Sequence, residues 1–159
     1  MPAPESALER WFEDFQPGDV AEFGDHEMTE EEILGFAGRY DPQIFHIDPE
    51  AAKSSIYGGL IASGWHTVAV MMRLLVEHYI PPNASLGSPG VDELRWLRPV
   101  RPGDRLRVRV TVQEAVGSRS RPDRGIVRSF TEVLNQDGDA VMTLRSMLLY
   151  RRRPPVARG

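Results

Sequence analysis

Apolar and polar positions alternate most strictly between residues 105 and 112, where Leu106, Val108, Val110 and Val112 are separated by Arg105, Arg107, Arg109 and Thr111. Successive side chains of a strand point to opposite faces, so this pattern predicts a half-buried β-strand. Period-two segments also cover Val91 to Pro99, Ile126 to Leu134 and Val141 to Tyr150. They are separated by turns at Pro102-Gly103-Asp104 and Asn135-Gln136-Asp137-Gly138, whose Asp-Gly pair suits a hairpin. Earlier in the chain, Pro17-Gly18 marks a turn, and Asp19 to His26 reads as a strand with Val20, Ala21 and Phe23 apolar.

The spacing then becomes helical. Thr29 is a good N-cap and Glu32 stands three residues on, which predicts a capping box. The helix carries Ile33, Leu34, Phe36 and Ala37, with Gly38 near its end. Tyr40 to Tyr57 contains Pro42 and Pro49 and reads as mostly loop, with one short helix at Pro49 to Lys53 capped by Asp48. After Gly58-Gly59 comes the most apolar stretch. From Ser63 or Gly64 to Tyr79, the residues Trp65, Val68, Ala69, Met72, Leu75, Val76 and Tyr79 recur at near-helical spacing and predict a long buried helix, stopped by Pro81-Pro82. Strand, helix, loop, long apolar helix and four strands make an α+β fold with an antiparallel sheet. Such a sheet leaves an edge that oligomerisation can cover.

The length of 159 residues fits one domain over 1–159, with a core at about 15–150, a loose lead-in at 1–14 and a basic tail at 151–159. With 41% apolar and 26% charged residues, the chain is ordinary for a globular protein. It has no cysteine, which excludes disulfides, thiolate metal sites and a cysteine nucleophile. Neither a signal-length apolar run nor a membrane-length one is present, so a cytoplasmic location and no membrane partner are expected. The net charge of −4 argues against nucleic acid as a partner. Arginines crowd the second half, either as solvated strand faces or as a surface that meets phosphates.

The stretch with most chemical content is Tyr40-Asp41-Pro42-Gln43-Ile44-Phe45-His46. A carboxylate and an imidazole can share one water, as addition of water to an activated double bond requires. Taken alone, Asp41 could equally cap a turn and His46 be a hydrogen-bonded loop histidine. The second stretch is Gly58-Gly59-Leu60-Ile61-Ala62-Ser63-Gly64-Trp65-His66. The first amides of a helix have no internal partner and could polarise an oxygen placed against Gly64. Ser63 reads also as an N-cap and His66 as a core histidine. His26 and His78 are isolated, and the four histidines have no metal-ligand spacing, so no metal is expected.

The block from Phe36 to Val76, with Asp41, His46, Asp48, Pro49, Ala52 and the Gly-Gly-Leu-Ile-Ala-Ser-Gly-Trp-His run, resembles the MaoC-like dehydratases and (R)-specific enoyl-CoA hydratases. So does the later Arg98-Pro99-Val100-x-Pro-Gly-Asp104 junction. The resemblance covers about Phe15 to Tyr150. It implies a hot-dog fold, an antiparallel sheet wrapped around a long central helix, and a homodimer or higher homo-oligomer with active sites near the interface. It implies reversible hydration of a 2-enoyl thioester by Asp41 and His46, with the Gly64 amide on the thioester carbonyl. Gln43, Phe45, Tyr57, Ser63 and Trp65 are expected to contact substrate, with Ile56 beside Tyr57 bounding the acyl pocket. Acyl-CoA is the expected substrate, and no cofactor is expected beyond coenzyme A as part of it. The family pattern between the Asp and His is x-Asn-Pro-x. Gln43 and Ile44 depart from it, which points to a divergent subgroup. A hot-dog thioesterase and a non-catalytic thioester-binding subunit are the alternatives, since one fold hosts several functions.

Overall fold

The strictly alternating segment becomes β3 (Arg105–Gly117) in a computed structural model that describes residues 6–157. It pairs with β1 (Val20–Glu27) on one side and β4 (Arg124–Leu134) on the other. Next come β5 (Ala140–Arg151) and, at the edge, β2 (Gly90–Trp96). Every pairing is antiparallel, and the order is β1-β3-β4-β5-β2. Leu106, Val108, Val110 and Val112 are buried, as alternation predicts.

The apolar stretch forms α4 (Gly64–His78), which packs on β1 and β3. At that contact Gly24 of β1 adopts φ 90°, and a Cβ there would stand 2.8 Å from Leu74. Glycine therefore allows both the left-handed backbone and the close approach. The buried stripe of α4 is Thr67, Val70, Met71, Leu74 and Leu75, each below a tenth exposed. This corrects the expected stripe: Trp65, Met72 and Val76 are 60%, 42% and 56% exposed. Apolar residues surround the helix, so spacing alone could not say which side meets the sheet.

Three smaller helices precede α4. Thr29 caps α1 (Glu30–Tyr40) by accepting from the Glu32 amide at 3.1 Å. The reciprocal half of the expected capping box is replaced, because the Glu32 carboxylate takes the His26 ring at 2.8 Å. The stretch read as loop contains a further helical turn, α2 (Ile44–Ile47), before α3 (Pro49–Ala52), whose Asp48 cap accepts from the Glu50 and Ala51 amides. Strand β2 is shorter than expected and ends at Trp96, with an irregular register where Glu93 adopts φ 51°.

The lead-in, expected to be loose, is docked from Trp11 to Phe15. Phe12 and Phe15 are buried, and Phe15 stacks on Tyr150 at 4.4 Å. The tail returns to the same place, where Arg153 meets Asp14 at 2.6 Å. On the exposed sheet face, arginines face carboxylates from neighbouring strands: Arg105 with Asp25 and Arg109 with Glu132 at 2.8 Å, Arg128 with Glu114 at 3.2 Å and Arg145 with Glu93 at 2.7 Å. Such exposed pairs contribute little each, about 0–1 kcal/mol. Their main effect is to neutralise the cations that the sequence crowds together.

Candidate active site

Pro42 cannot continue α1, so the helix ends at Asp41, whose amide bonds Ala37 O at 2.9 Å. The chain then turns directly into α2, which carries Phe45 and His46 inward; His46 is 5% exposed. The His46 Nδ1 lies 2.7 Å from the Ile61 carbonyl oxygen. A carbonyl only accepts, so Nδ1 carries the hydrogen and Nε2 is the atom free to exchange a proton. That Nε2 faces Asp41 Oδ2 at 3.3 Å.

Asp41 accepts two further bonds, from Ser63 Oγ to Oδ2 at 2.7 Å and from Gln43 Nε2 to Oδ1 at 2.8 Å. Burial pushes its acidity toward a higher pKa, but the hydrogen bonds from Ser63 and Gln43, with the His46 ring, outweigh that and hold it below the ordinary carboxylate value. Asp41 is therefore a carboxylate near neutral pH. Ser63 was expected as a substrate contact. It is fully buried and makes no side-chain cap bond to α4; its hydroxyl orients Asp41 instead. Sequence could not show this, because the partners are 22 residues apart.

Asp41, Gln43, Phe45, His46, Tyr57, Gly64 and Trp65 line one cavity of about 530 Å³. Phe45 stands edge-on to His46, and Tyr57 edge-on to Phe45, with ring centres 4.6 Å and 5.3 Å apart. Gly64 opens α4, so its amide has no carbonyl in a preceding helical turn. The indole of Trp96 covers Gly64: a Cβ there would stand 2.3 Å from it. Trp96 and Leu97 were missed from the sequence, and Arg98 stands there only as part of the Arg98-Pro99-Val100 junction and the arginine-rich half, not as a residue of this site. They enter from the edge strand β2 and the turn after it, and only the fold brings that segment to α4. Ile56, expected beside Tyr57, is 94% exposed and does not line the cavity.

His66 lies apart from this cavity. Its ring stacks on Phe36 at 4.7 Å, its Nε2 is 3.7 Å from Glu32, and its Nδ1 has no partner. A second cavity beside it is lined by His26, Glu32, Phe36, Arg73 and Glu77 among others. His26 is thus not isolated. Burial lowers the His66 pKa and outweighs the opposing pull of Glu32. The folded state therefore takes up this proton less readily than the unfolded chain. Stability from this group is whole above about pH 6.5 and is lost as pH falls toward the lower folded value. Thermal melts at roughly pH 5 to 8 should show a shallower acid loss for His66→Gln than for the parent. Equal slopes would mean that His66 is not the group responsible.

Among the described residues, no group of three or more His, Cys, Asp or Glu side chains could hold a metal ion. No helix of the described residues is long and apolar enough to cross a membrane.

Residues 14–132 match the family model of the MaoC like domain. The solved MaoC-like dehydratase from Rhodospirillum rubrum superposes with a TM-score of 0.86 at 43% identity, over 92% of this chain and 99% of that one. The uncharacterized protein YdeM of Bacillus subtilis is 28% identical over 140 residues, covering 88% of this chain and 98% of YdeM. The 3-hydroxyacyl-thioester dehydratase Z of Mycobacterium tuberculosis is 35% identical over 82 residues, covering 50% of this chain and 54% of that protein.

Proposed function

The chain belongs to the MaoC-like domain family with its hot-dog fold and is a hydro-lyase, and from that premise we propose that it reversibly hydrates a 2-enoyl thioester through Asp41 and His46. The observation that carries the proposal is the 3.3 Å approach of His46 Nε2 to an ionised Asp41 in a cavity that also holds the open amide of Gly64. In the proposed cycle the proton to be delivered starts on His46 Nε2, opposite the Asp41 carboxylate. Asp41 takes a proton from water as its oxygen bonds to C3. The C2=C3 electron pair moves toward the thioester carbonyl, whose oxygen accepts from the Gly64 amide. His46 Nε2–H then delivers its proton to C2, and the proton on Asp41 passes to His46. Charge and atoms balance with no cofactor; coenzyme A enters only as part of the acyl-CoA substrate.

A second copy of the chain belongs to the same reading. Strand β2 is a sheet edge, and Val91, Trp96 and Leu97 there are about half exposed beside the equally exposed Trp65. A homodimer that pairs β2 edges would cover them. The setting in this reading is the cytoplasm.

The test is a panel of 2-enoyl-CoA thioesters followed by loss of the enoyl absorbance, with free thiol measured in parallel. Absorbance should fall without thiol release. Thiol release at unchanged enoyl content would make the protein a thioesterase, and silence in both channels across the panel would leave a binding subunit.

A further inference from the structure

We propose that Arg98, assisted by the charge of Arg101, recognises the phosphate of a phosphopantetheine arm that carries the acyl thioester; the proposal rests on the hydratase reading above. Among the described lining residues of the candidate cavity, Arg98 is the one permanent cation. The remaining lining is apolar or neutral apart from Asp41 and His46. A ligand that reaches Asp41 through this cavity therefore passes neutral walls, with a single guanidinium among them.

Arg98 differs from the most tightly paired arginines of the sheet, and the more loosely paired Arg107 and Arg128 do not line the cavity. Arg105, Arg109 and Arg145 each make side-chain hydrogen bonds to a carboxylate at 2.7–3.0 Å. Arg98 has Asp139 at 3.3 Å, with both side chains 60% and 44% exposed, a loose and solvent-screened pair. Three residues on, Arg101 donates its Nη2 to the carbonyl of Tyr57 at 2.6 Å. A carbonyl fixes the guanidinium without cancelling its charge. The nearby Asp104 carboxylate accepts from the Arg101 amide and from Gln136 Nε2. The turn that borders the cavity thus holds two guanidiniums without a close carboxylate contact, and of these Arg98 lines the cavity.

The chemistry that matches is a neutral, flexible arm with a reactive thioester at one end and a phosphate at the other. The arm fills the cavity, and the phosphate meets a planar guanidinium whose paired N–H groups fit its oxygens. Coenzyme A and an acyl carrier protein both present this arm.

The experiment compares KM for crotonyl-CoA, crotonyl-4′-phosphopantetheine and crotonyl-pantetheine at low ionic strength, using the full-length protein, Arg98→Gln and Asp139→Asn. For Arg98→Gln, the KM ratio of each phosphorylated to the unphosphorylated thioester should rise about tenfold, the scale of one lost charge-assisted contact. Asp139→Asn removes the competing carboxylate and should lower the same ratio. A crotonyl group loaded on an acyl carrier protein is then compared with crotonyl-CoA, and the larger kcat/KM identifies the source of the arm. An unchanged ratio in Arg98→Gln overturns the site, and a change with crotonyl-CoA alone overturns the assignment to the arm's own phosphate. Absence of hydration with every thioester would instead overturn the underlying reading.

Discussion

Asp41→Asn is expected to lower kcat for hydration about a thousandfold, within the range for loss of a general acid or base. Asparagine keeps the shape of the side chain and can still meet Ser63 and Gln43, whose donors lie 2.7 Å and 2.8 Å from the carboxylate. It cannot take a proton from water, so the loss should fall on kcat and leave KM within a few-fold. His46→Gln should lose a comparable amount, because it removes the proton donor to C2. The double variant should fall little below either single one, since the two groups act as one proton relay. The pH profile adds a second check. Asp41 is held below the ordinary carboxylate value, so the acid limb that it sets lies below about pH 4. Rates followed by enoyl absorbance, with melting temperatures for each variant, decide the matter. If Asp41→Asn retains near-parent kcat, the carboxylate is a structural acceptor for Ser63 and Gln43 and the proposed chemistry fails.

Much of this arrangement is legible in the sequence because local rules set it. Alternation in Leu106 to Val112 fixes which side of β3 is buried, and Asp48 before Pro49 announces a capped turn. The Asp41-to-His46 spacing brings both side chains to one place because Pro42 ends α1 and α2 follows at once. What the sequence hides depends on long-range partners. Trp65, Met72 and Val76 look like core residues but stay exposed, because Thr67, Val70 and Leu74 turn to the sheet. Ser63 reads as a helix cap until Asp41 is seen beside it. The arginines look like an anion surface until antiparallel register sets Arg109 opposite Glu132 and Arg128 opposite Glu114. Arg98 lies past the end of β2, and its carboxylate, Asp139, comes from the turn before β5 rather than from a paired strand residue.

Gly64→Ala should have the second largest effect, and it tests the amide as distinct from the acid–base pair. The new methyl would stand 2.3–2.7 Å from three atoms of the Trp96 indole, closer than real Cβ contacts allow. Either α4 or the ring must shift. The ring is 45% exposed and sits on the edge strand, whereas α4 is anchored by its buried stripe, so the ring gives way. Folding should therefore survive, helped slightly by the better helix propensity of alanine. Activity should not. The displaced indole no longer walls the cavity, and the methyl crowds the approach of a thioester oxygen to the amide. Loss of one donor to a developing oxyanion costs about 100- to 1,000-fold in kcat, and a fall of about a hundredfold is expected here. The double variant Gly64→Ala/Trp96→Ala separates the two causes. Removing the indole relieves the clash, so its melting temperature should return to that of Trp96→Ala alone. If kcat stays low relative to Trp96→Ala, the methyl beside the amide is at fault and the oxyanion role stands. Recovery of kcat to the Trp96→Ala level would trace the loss to the displaced ring and remove the Gly64 amide from the mechanism.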